Sequence, residues 1–194
     1  MHKTTSRTLL FILALGLLVS LPLLGHVTRD NDFYGFKTDL PVPELPGYEA
    51  GAEQLRLVFF GYQHCGTVCP LQLMNLQELH RRLEQQPVAF VFVTLDPDRD
   101  SQQELDRIMA TMGDNFRAVR PSNQAAAQRL AMGFSEFAAR TGDEERYHFN
   151  HSARIYAVTP DNRRHLLYSS PELDLDRVQN DIERLMAGIQ GGLR

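Results

Sequence analysis

The segment that decides the fold covers residues 55–83 and reads LRLVFFGYQHCGTVCPLQLMNLQELHRRL. It opens with a short apolar run, Leu55 to Phe60, which is typical of a buried strand. Its last part, Pro70 to Leu83, has leucines spaced to share one face of a helix. Between the two lies GYQHCGTVCP, residues 61–70, with two cysteines four positions apart. The pattern predicts a strand-to-helix turn that carries a cysteine pair.

Strand-like and helix-like segments alternate through the rest of the chain. Val88 to Leu95 predicts a second buried strand, and Ser101 with Glu104 three residues later predicts a capped helix. Ser122 predicts the cap of another helix that runs towards Phe137. Two strands joined by a turn and a final helix follow at residues 152–159, 164–169 and 175–185. This order predicts an α/β fold in which helices cover both faces of a central sheet.

The composition is typical of one soluble domain with a short appendage. Of the 194 residues, 43% are hydrophobic and 23% are charged. The 20 basic and 24 acidic side chains give a net charge of -4, and the basic residues are scattered along the chain. Nucleic-acid binding would need a concentrated basic face, so we expect no nucleic-acid partner.

The N-terminus predicts a membrane anchor. Lys3 and Arg7 precede an apolar run from Leu9 to Leu24, which is about 24 Å long as a helix. The residues beside the run extend it towards the ~30 Å hydrocarbon core. A small-x-small cleavage site is missing, and His26 stands where a lipoprotein would need its cysteine, so the sequence favours an uncleaved signal anchor. Positive charge before the run places the N-terminus inside and the domain outside.

These features divide the chain into three parts. Residues 1–28 are the predicted anchor, residues 29–51 contain three prolines and are predicted to be tether and loop, and residues 52–194 are the predicted domain. The domain would then work outside the cytoplasm, where thiols tend to oxidise.

Cys65 and Cys69 are the only cysteines of the chain, so a disulfide framework does not hold the fold together. Pro70 is acceptable only near the start of a helix, which places Cys69 at or beside the helix N-terminus. The partial positive charge there lowers a thiol pKa and favours thiolate. A structural disulfide closing so short a loop would contribute only about 2 kcal/mol. The position therefore favours reactive thiols that attack disulfides or bind a soft metal.

The sequence around the cysteines resembles the Sco (SenC) family, thioredoxin-fold proteins that help assemble the copper centre of cytochrome c oxidase. The family motif is roughly GYTHCPDVCP, and residues 61–70 match it at seven positions. Two more segments match in order: LDPDRD at residues 95–100 resembles VDPERD, and YHFNHS at residues 147–152 resembles YxVDHS. The resemblance implies a thioredoxin-like domain with a central mixed sheet flanked by helices.

The resemblance also implies a copper site made of Cys65, Cys69 and His151. Two thiolates and one imidazole suit Cu(I), and the imidazole also accommodates Cu(II). Zinc accepts the same atoms, but closed zinc sites usually have four protein ligands, and a fourth is not evident. His64, which adjoins Cys65, and Asp96 are expected to support the site. A packing role for His64 and a turn-forming role for Asp96 stay open.

Three residues depart from the family pattern. Gly66 and Thr67 replace Pro and Asp between the cysteines, and Asn150 replaces the Asp before His151. Two carboxylates are therefore missing from the implied site, while its three implied ligands are all present. His148 matches a variable position of the motif and is interpreted as a surface residue.

Two functions stay open from the sequence. One is a metallochaperone that holds copper and passes it to the copper-receiving subunit of cytochrome c oxidase or to another copper chaperone; it would need a thiol reductant. The other is an extracytoplasmic thiol–disulfide oxidoreductase that reduces cysteines of a partner protein. Both place the protein at the inner membrane, with the anchor in the bilayer and the domain in the periplasm.

Overall fold

The computed structural model describes residues 33–143 and 146–191. The predicted anchor, residues 1–28, lies outside these residues. Within the two described ranges, no helix combines the length and the apolar character needed to cross a bilayer.

The domain consists of eight strands and four helices among the described residues. In chain order they are β1 (Phe36–Pro41), β2 (Leu55–Gly61), α1 (Val68–Arg82), β3 (Val88–Thr94), α2 (Gln102–Met112), β4 (Phe116–Val119), α3 (Gln124–Gly133), β5 (Ala138–Gly142), β6 (Tyr147–His151), β7 (Ile155–Val158), β8 (Arg163–Tyr168) and α4 (Leu175–Gly191). Six strands form one mixed sheet in the order β1-β8-β7-β2-β3-β4, and β5 pairs with β6 in a separate two-stranded sheet.

The centre of the large sheet is built from buried parallel strands. Every residue of β2 and β3 is buried, and the two strands pair in parallel, as do β3 and β4. Because parallel crossovers are right-handed, α1 and α2 cover the same face of the sheet. On the opposite face, the ring of Phe60 packs edge-on against Phe134 beyond the end of α3, with 5.1 Å between ring centroids. The predicted α/β sheet with both faces covered is confirmed.

Most predicted elements of this core are confirmed. The strands β2, β3, β7 and β8 lie where the apolar runs predicted them, and the Ser101 side chain accepts a hydrogen bond from the Glu104 backbone N–H, so that it caps α2. The predicted cap at Ser122 is wrong by one residue, because the Asn123 side chain accepts from the Ala126 N–H instead. The predicted end of α3 near Phe137 is also wrong: the helix ends at Gly133.

Four strands were not predicted from the sequence. The prediction that residues 29–51 are only tether and loop is wrong for Phe36–Pro41, which forms β1 at the sheet edge and pairs antiparallel with β8. Its side chains are mostly exposed, so it lacks the apolar alternation that marks a half-buried strand. The short strands β4, β5 and β6 are likewise only partly buried. The β5–β6 hairpin matters most for function, because His151 is its last residue.

Candidate metal centre

The two cysteines lie at the carboxyl end of the central strand β2. Cys65 sits in the loop after the strand, and Cys69 is the second residue of α1. Gly61 ends β2 directly beneath them: a Cβ atom there would lie 2.9 Å from the Cys69 sulfur and 2.8 Å from the Phe92 ring. The backbone can approach the sulfur this closely because residue 61 has no side chain.

The hairpin brings His151 onto the two sulfurs. The His151 Nε2 atom lies 3.6 Å from the Cys65 Sγ atom and 3.4 Å from the Cys69 Sγ atom. The three ligand atoms all lie within 4.8 Å of one another. Cys65 is 7% exposed, Cys69 3% and His151 9%, so the three groups form a nearly dry cluster just below the surface. The three residues that the sequence predicted as ligands are thus brought together.

The tautomer of the neutral His151 ring is set by the hydrogen-bond partner of its Nδ1 atom. The Nδ1 atom lies 2.8 Å from the backbone carbonyl of Ser152, which can only accept a hydrogen bond. The neutral ring therefore carries its proton on Nδ1, and the lone pair of Nε2 faces the sulfurs. This is the tautomer that a metal ligand needs, fixed by a backbone hydrogen bond.

Tyr62 connects the cysteine loop to the histidine hairpin. Its hydroxyl accepts a hydrogen bond from the Phe149 backbone N–H at 3.2 Å and lies 3.5 Å from the Phe149 carbonyl oxygen. Its ring also packs edge-on against the His151 ring, with 5.9 Å between centroids. Tyr62 therefore fixes the distance between the loop that holds Cys65 and the strand that holds His151.

Glu136 holds the backbone that follows His151. One carboxylate oxygen accepts hydrogen bonds from both the backbone N–H, at 2.9 Å, and the hydroxyl of Ser152, and the other accepts from the Tyr156 hydroxyl at 2.7 Å. The Glu136 residue is 4% exposed, and burial raises its pKa. Because the Ser152 carbonyl orients the His151 ring, Glu136 positions the ring indirectly. Neither Tyr62 nor Glu136 was predicted as a site residue.

The two thiols are free and differ in acidity. Burial opposes the ionisation of Cys65. Contacts with the Cys69 thiol and the His151 ring, together with backbone N–H groups, outweigh this effect, and the pKa of Cys65 is lowered to about 6. Burial raises the pKa of the deeper Cys69, and its contact with Cys65 raises it further. The sequence predicted a lowered pKa at the helix N-terminus; that prediction is wrong for Cys69, because its desolvation exceeds the effect of the helix.

Cys65 and Cys69 both line an apolar cavity of about 260 Å³ between α1 and α2. The cavity walls are mostly aliphatic and aromatic side chains: Pro70, Leu73, Phe92, Leu105, Ile108 and Met109. This cavity gives another molecule an apolar surface beside the cysteines.

The structure places His64 and Asp96 next to each other rather than on the sulfurs. Asp96 accepts hydrogen bonds from the Tyr147 hydroxyl at 2.9 Å and from the Arg99 Nε–H group at 2.5 Å. Since Tyr147 is the first residue of β6, Asp96 anchors the strand that carries His151. The Asp96 backbone carbonyl also accepts from the Asp100 N–H in the turn after β3. The Asp96 side chain therefore contacts the hairpin strand, and the turn is closed by its backbone carbonyl rather than by its side chain.

Known proteins of one family resemble this chain in sequence. The family model for SCO1/SenC matches residues 49–187. The mitochondrial SCO2 homologue of Bos taurus is 29% identical over 143 residues, which are 71% of this chain and 53% of the relative. The chain thus spans about half the length of that relative.

Two solved structures share the fold. The apo Sco1 protein of Thermus thermophilus is 29% identical, with a TM-score of 0.66 over 79% of this chain and 97% of that one. Arabidopsis thaliana ScoI with copper bound is 18% identical, with a TM-score of 0.62 over 80% of this chain and 98% of that one. The fold and the cluster define a thioredoxin-like protein with a paired-cysteine site. The chain belongs to the SCO1/SenC family, as the family model covering most of its length shows.

Proposed function

We propose that this protein is a copper-binding metallochaperone that assists assembly of the copper centre of cytochrome c oxidase. The observation that carries the proposal is the convergence of two free thiols and the proton-free Nε2 of His151 within 4.8 Å. Copper is the cargo here, and the three side chains are its ligands.

The donor set favours copper over other ions. Two thiolates and one imidazole are soft or borderline ligands of the kind that Cu(I) prefers in low coordination numbers. A structural zinc site would need a fourth protein ligand, and the described residues place no fourth His, Cys, Asp or Glu in this cluster. Copper in the structure of the Arabidopsis relative supports the same choice for this fold.

The site is built for transfer as well as binding. Cys65 is buried on a loop whose neighbouring residues Gly66 and Thr67 are exposed, while Cys69 and His151 are held by the helix and the hairpin. A partner with its own sulfur or nitrogen ligands can approach Cys65 across the apolar cavity between α1 and α2 and exchange ligands one at a time. We propose the copper-receiving subunit of the oxidase, or another copper chaperone, as that partner. Both thiols must be reduced first, so a thiol reductant is part of the proposal.

The proposed location follows from the same function. An inner-membrane anchor at residues 1–28 would hold the domain in the periplasm beside the membrane-bound oxidase. Fusing a reporter that is active only in the periplasm to the C-terminus tests this location. Activity of this reporter supports the location. A second reporter, which works only in the cytoplasm, is fused at the same position, and its activity would contradict the location.

The test of function is complementation with the full chain. Cells lacking the protein receive the wild type, His151→Ala, or the control His148→Ala, whose side chain is exposed on the same strand. We expect His151→Ala to lose the copper signal of the oxidase and His148→Ala to restore it. If His151→Ala restores the oxidase as well as the wild type does, the chaperone proposal is wrong.

A thiol–disulfide reductase is the second candidate, and the unequal thiols favour it. Cys65, with a pKa of about 6, would attack a partner disulfide as thiolate, and Cys69 would then displace the partner and form the Cys65–Cys69 disulfide. The two electrons pass to the partner's cysteines. This activity needs no imidazole ligand, so His151→Ala should retain dithiol exchange with a disulfide substrate while it loses copper loading. The exchange should be slower than in the wild type, because the ring no longer helps to lower the pKa of Cys65.

A further inference from the structure

A second cluster of side chains that could hold a metal ion lies beside Gln63 and His64, the two residues before Cys65. It consists of His64, Asp96 and Asp100, and one ligand atom from each lies within 4.8 Å of the others. Asp96 is 0% exposed and Asp100 1%, whereas the His64 side chain is 58% exposed. Two buried carboxylates thus form the floor of the cluster, and an exposed imidazole forms its outer edge.

The carboxylate of Asp100 is fixed on one side and open on the other. Its Oδ2 atom accepts hydrogen bonds from the Thr94 hydroxyl at 2.5 Å and from the Gln63 backbone N–H at 3.2 Å. Its Oδ1 atom is buried without a hydrogen-bond partner in the part of the chain that the structure describes. The Nδ1 atom of His64 lies 4.0 Å from it, which is beyond hydrogen-bond reach. A buried carboxylate oxygen left without a donor or a cation is costly and therefore unusual.

One of the two buried carboxylates in the cluster has no arginine or lysine partner among the described residues. Arg99 pairs with the Oδ2 atom of Asp96 and so offsets one of the two buried carboxylates. For the second carboxylate, Asp100, the described residues provide no such arginine partner, and the nearest basic side chain is the His64 ring at 4.0 Å. The Oδ1 atom of Asp96 accepts one hydrogen bond, from Tyr147, and keeps a lone pair free for coordination. The cluster therefore offers three donors and an excess negative charge to a cation.

We propose that His64, Asp96 and Asp100 bind a divalent transition-metal ion such as Zn²⁺, at a site separate from the sulfur cluster. Zinc accepts imidazole nitrogen and carboxylate oxygen, and three protein ligands leave one position open to water. Tetrahedral ligands at about 2.1 Å from the ion lie about 3.4 Å apart, and rotation of the exposed His64 side chain can bring its ring from 4.0 Å to this distance from Asp100. Cu(I) prefers sulfur, and Ca²⁺ and Mg²⁺ prefer all-oxygen sites.

The position of this site gives it a structural consequence. His64 precedes Cys65 in the chain, and the Gln63 backbone is already hydrogen-bonded to Asp100. An ion held by His64 and Asp100 would therefore fix the first half of the cysteine loop to the turn after β3. Because none of its ligands is a thiol, the site would fill whether the cysteines are reduced or oxidised, unlike the copper site.

The test is a Zn²⁺ titration of the full chain carrying Cys65→Ser and Cys69→Ser, with a chromophoric chelator as competitor. We expect one Zn²⁺ per chain. Adding His64→Ala or Asp100→Asn in this background should weaken the affinity at least about tenfold. The control His148→Ala, which removes another exposed histidine, should leave it unchanged, and so should His151→Ala.

Each outcome decides the proposal without reference to copper. If zinc does not bind, or if it binds equally well after His64→Ala, the site does not exist as described. If His151→Ala abolishes binding instead, the ion occupies the remnant of the sulfur cluster and the proposal is overturned. Asp100 is buried, so its variant is first checked for folding by circular dichroism. Because His64 is exposed, the His64→Ala variant decides the question even if Asp100→Asn does not fold.

Discussion

The two halves of the sulfur–imidazole site are held in place in different ways. Cys65 and Cys69 lie within one short stretch that joins β2 to α1, so the local backbone sets most of their geometry. His151 lies 82 residues beyond Cys69 and reaches the sulfurs from a separate two-stranded hairpin. Its position depends on side chains from elsewhere, chiefly Tyr62 and Glu136. The sulfur half is therefore encoded locally, and the imidazole half depends on tertiary contacts that mutation can weaken one at a time.

The largest expected effect separates the two sulfurs. Because the pKa of Cys65 is lowered to about 6, its thiolate persists through neutral pH and its alkylation should slow only below about pH 6. The raised pKa and burial of Cys69 keep it a thiol. At pH 7 we expect Cys65 to react faster than Cys69 by about a thousandfold.

Mass spectrometry of the reduced, metal-free chain after timed iodoacetamide labelling measures both rates in one sample. The urea-unfolded chain is the control, in which the two rates should become similar. Repeating the labelling over a range of pH gives the midpoint at which the alkylation rate of Cys65 rises. A midpoint near pH 8.5 in the folded chain would contradict the difference in acidity between the two thiols.

The second-largest effect is expected in the imidazole half of the site, which the β5–β6 hairpin carries. Glu136→Ala removes the acceptor of the Ser152 and Tyr156 hydrogen bonds and leaves a cavity, so we expect unfolding to become easier by about 2–4 kcal/mol. Loss of this support for His151 should weaken Cu(I) affinity about 10–100-fold. Urea unfolding and a competitive Cu(I) titration measure the two changes. The exposed Glu172→Ala is the matched control, and equal copper affinity in the two variants would show that Glu136 does not position the site.

A smaller effect is expected in the sulfur half. Gly61→Ala places a methyl group 2.9 Å from the Cys69 sulfur and 2.8 Å from Phe92, so the chain must shift to accept it. We expect a loss of about 1–3 kcal/mol in the free energy of unfolding, as for other overpacked sites. The exposed Gly66→Ala is the control, because a Cβ at Gly66 meets no atom within 4 Å. Similar unfolding midpoints for both variants would contradict the close approach.

The smallest effect tests the link between the halves. Tyr62→Phe keeps the ring against His151 and removes only the hydroxyl that bonds the Phe149 backbone. We expect the free energy of unfolding to fall by about 1 kcal/mol. Amide exchange at Phe149 should also become faster than in the wild type. Exchange that is unchanged at this amide would show that the hydroxyl does not hold the hairpin.

The contrast between locally encoded structure and structure that depends on tertiary contacts also explains which elements the sequence could predict. The buried strands β2 and β3 and the cysteine turn were predicted because their signals are local: an apolar run, a helical pattern and a proline near the helix start. The strand β1 was missed because its side chains are mostly exposed and it is stabilised by pairing with the distant β8. The strand β6 was missed because it is only partly buried and pairs with β5, which was missed as well. The sequence of β1 alone shows no clear alternation of apolar and polar residues.

The candidate site follows the same rule. The resemblance of motifs pointed to His151, but the hydrogen bonds of Glu136 and Tyr62 join residues 16 and 87 positions apart and leave no pattern along the chain. Asp100 was missed for a related reason. It is the last residue of the matched segment at residues 95–100, yet its burial beside His64 becomes visible only in three dimensions.

X-ray absorption of the full chain loaded with one equivalent of Cu(I) tests the central claim most directly. The three converging side chains predict two sulfur scatterers and one nitrogen scatterer at the copper. In His151→Ala the nitrogen should disappear while both sulfurs remain. A copper shell with a single sulfur, or a nitrogen contribution that persists in His151→Ala, would contradict the assignment of Cys65, Cys69 and His151 as its ligands.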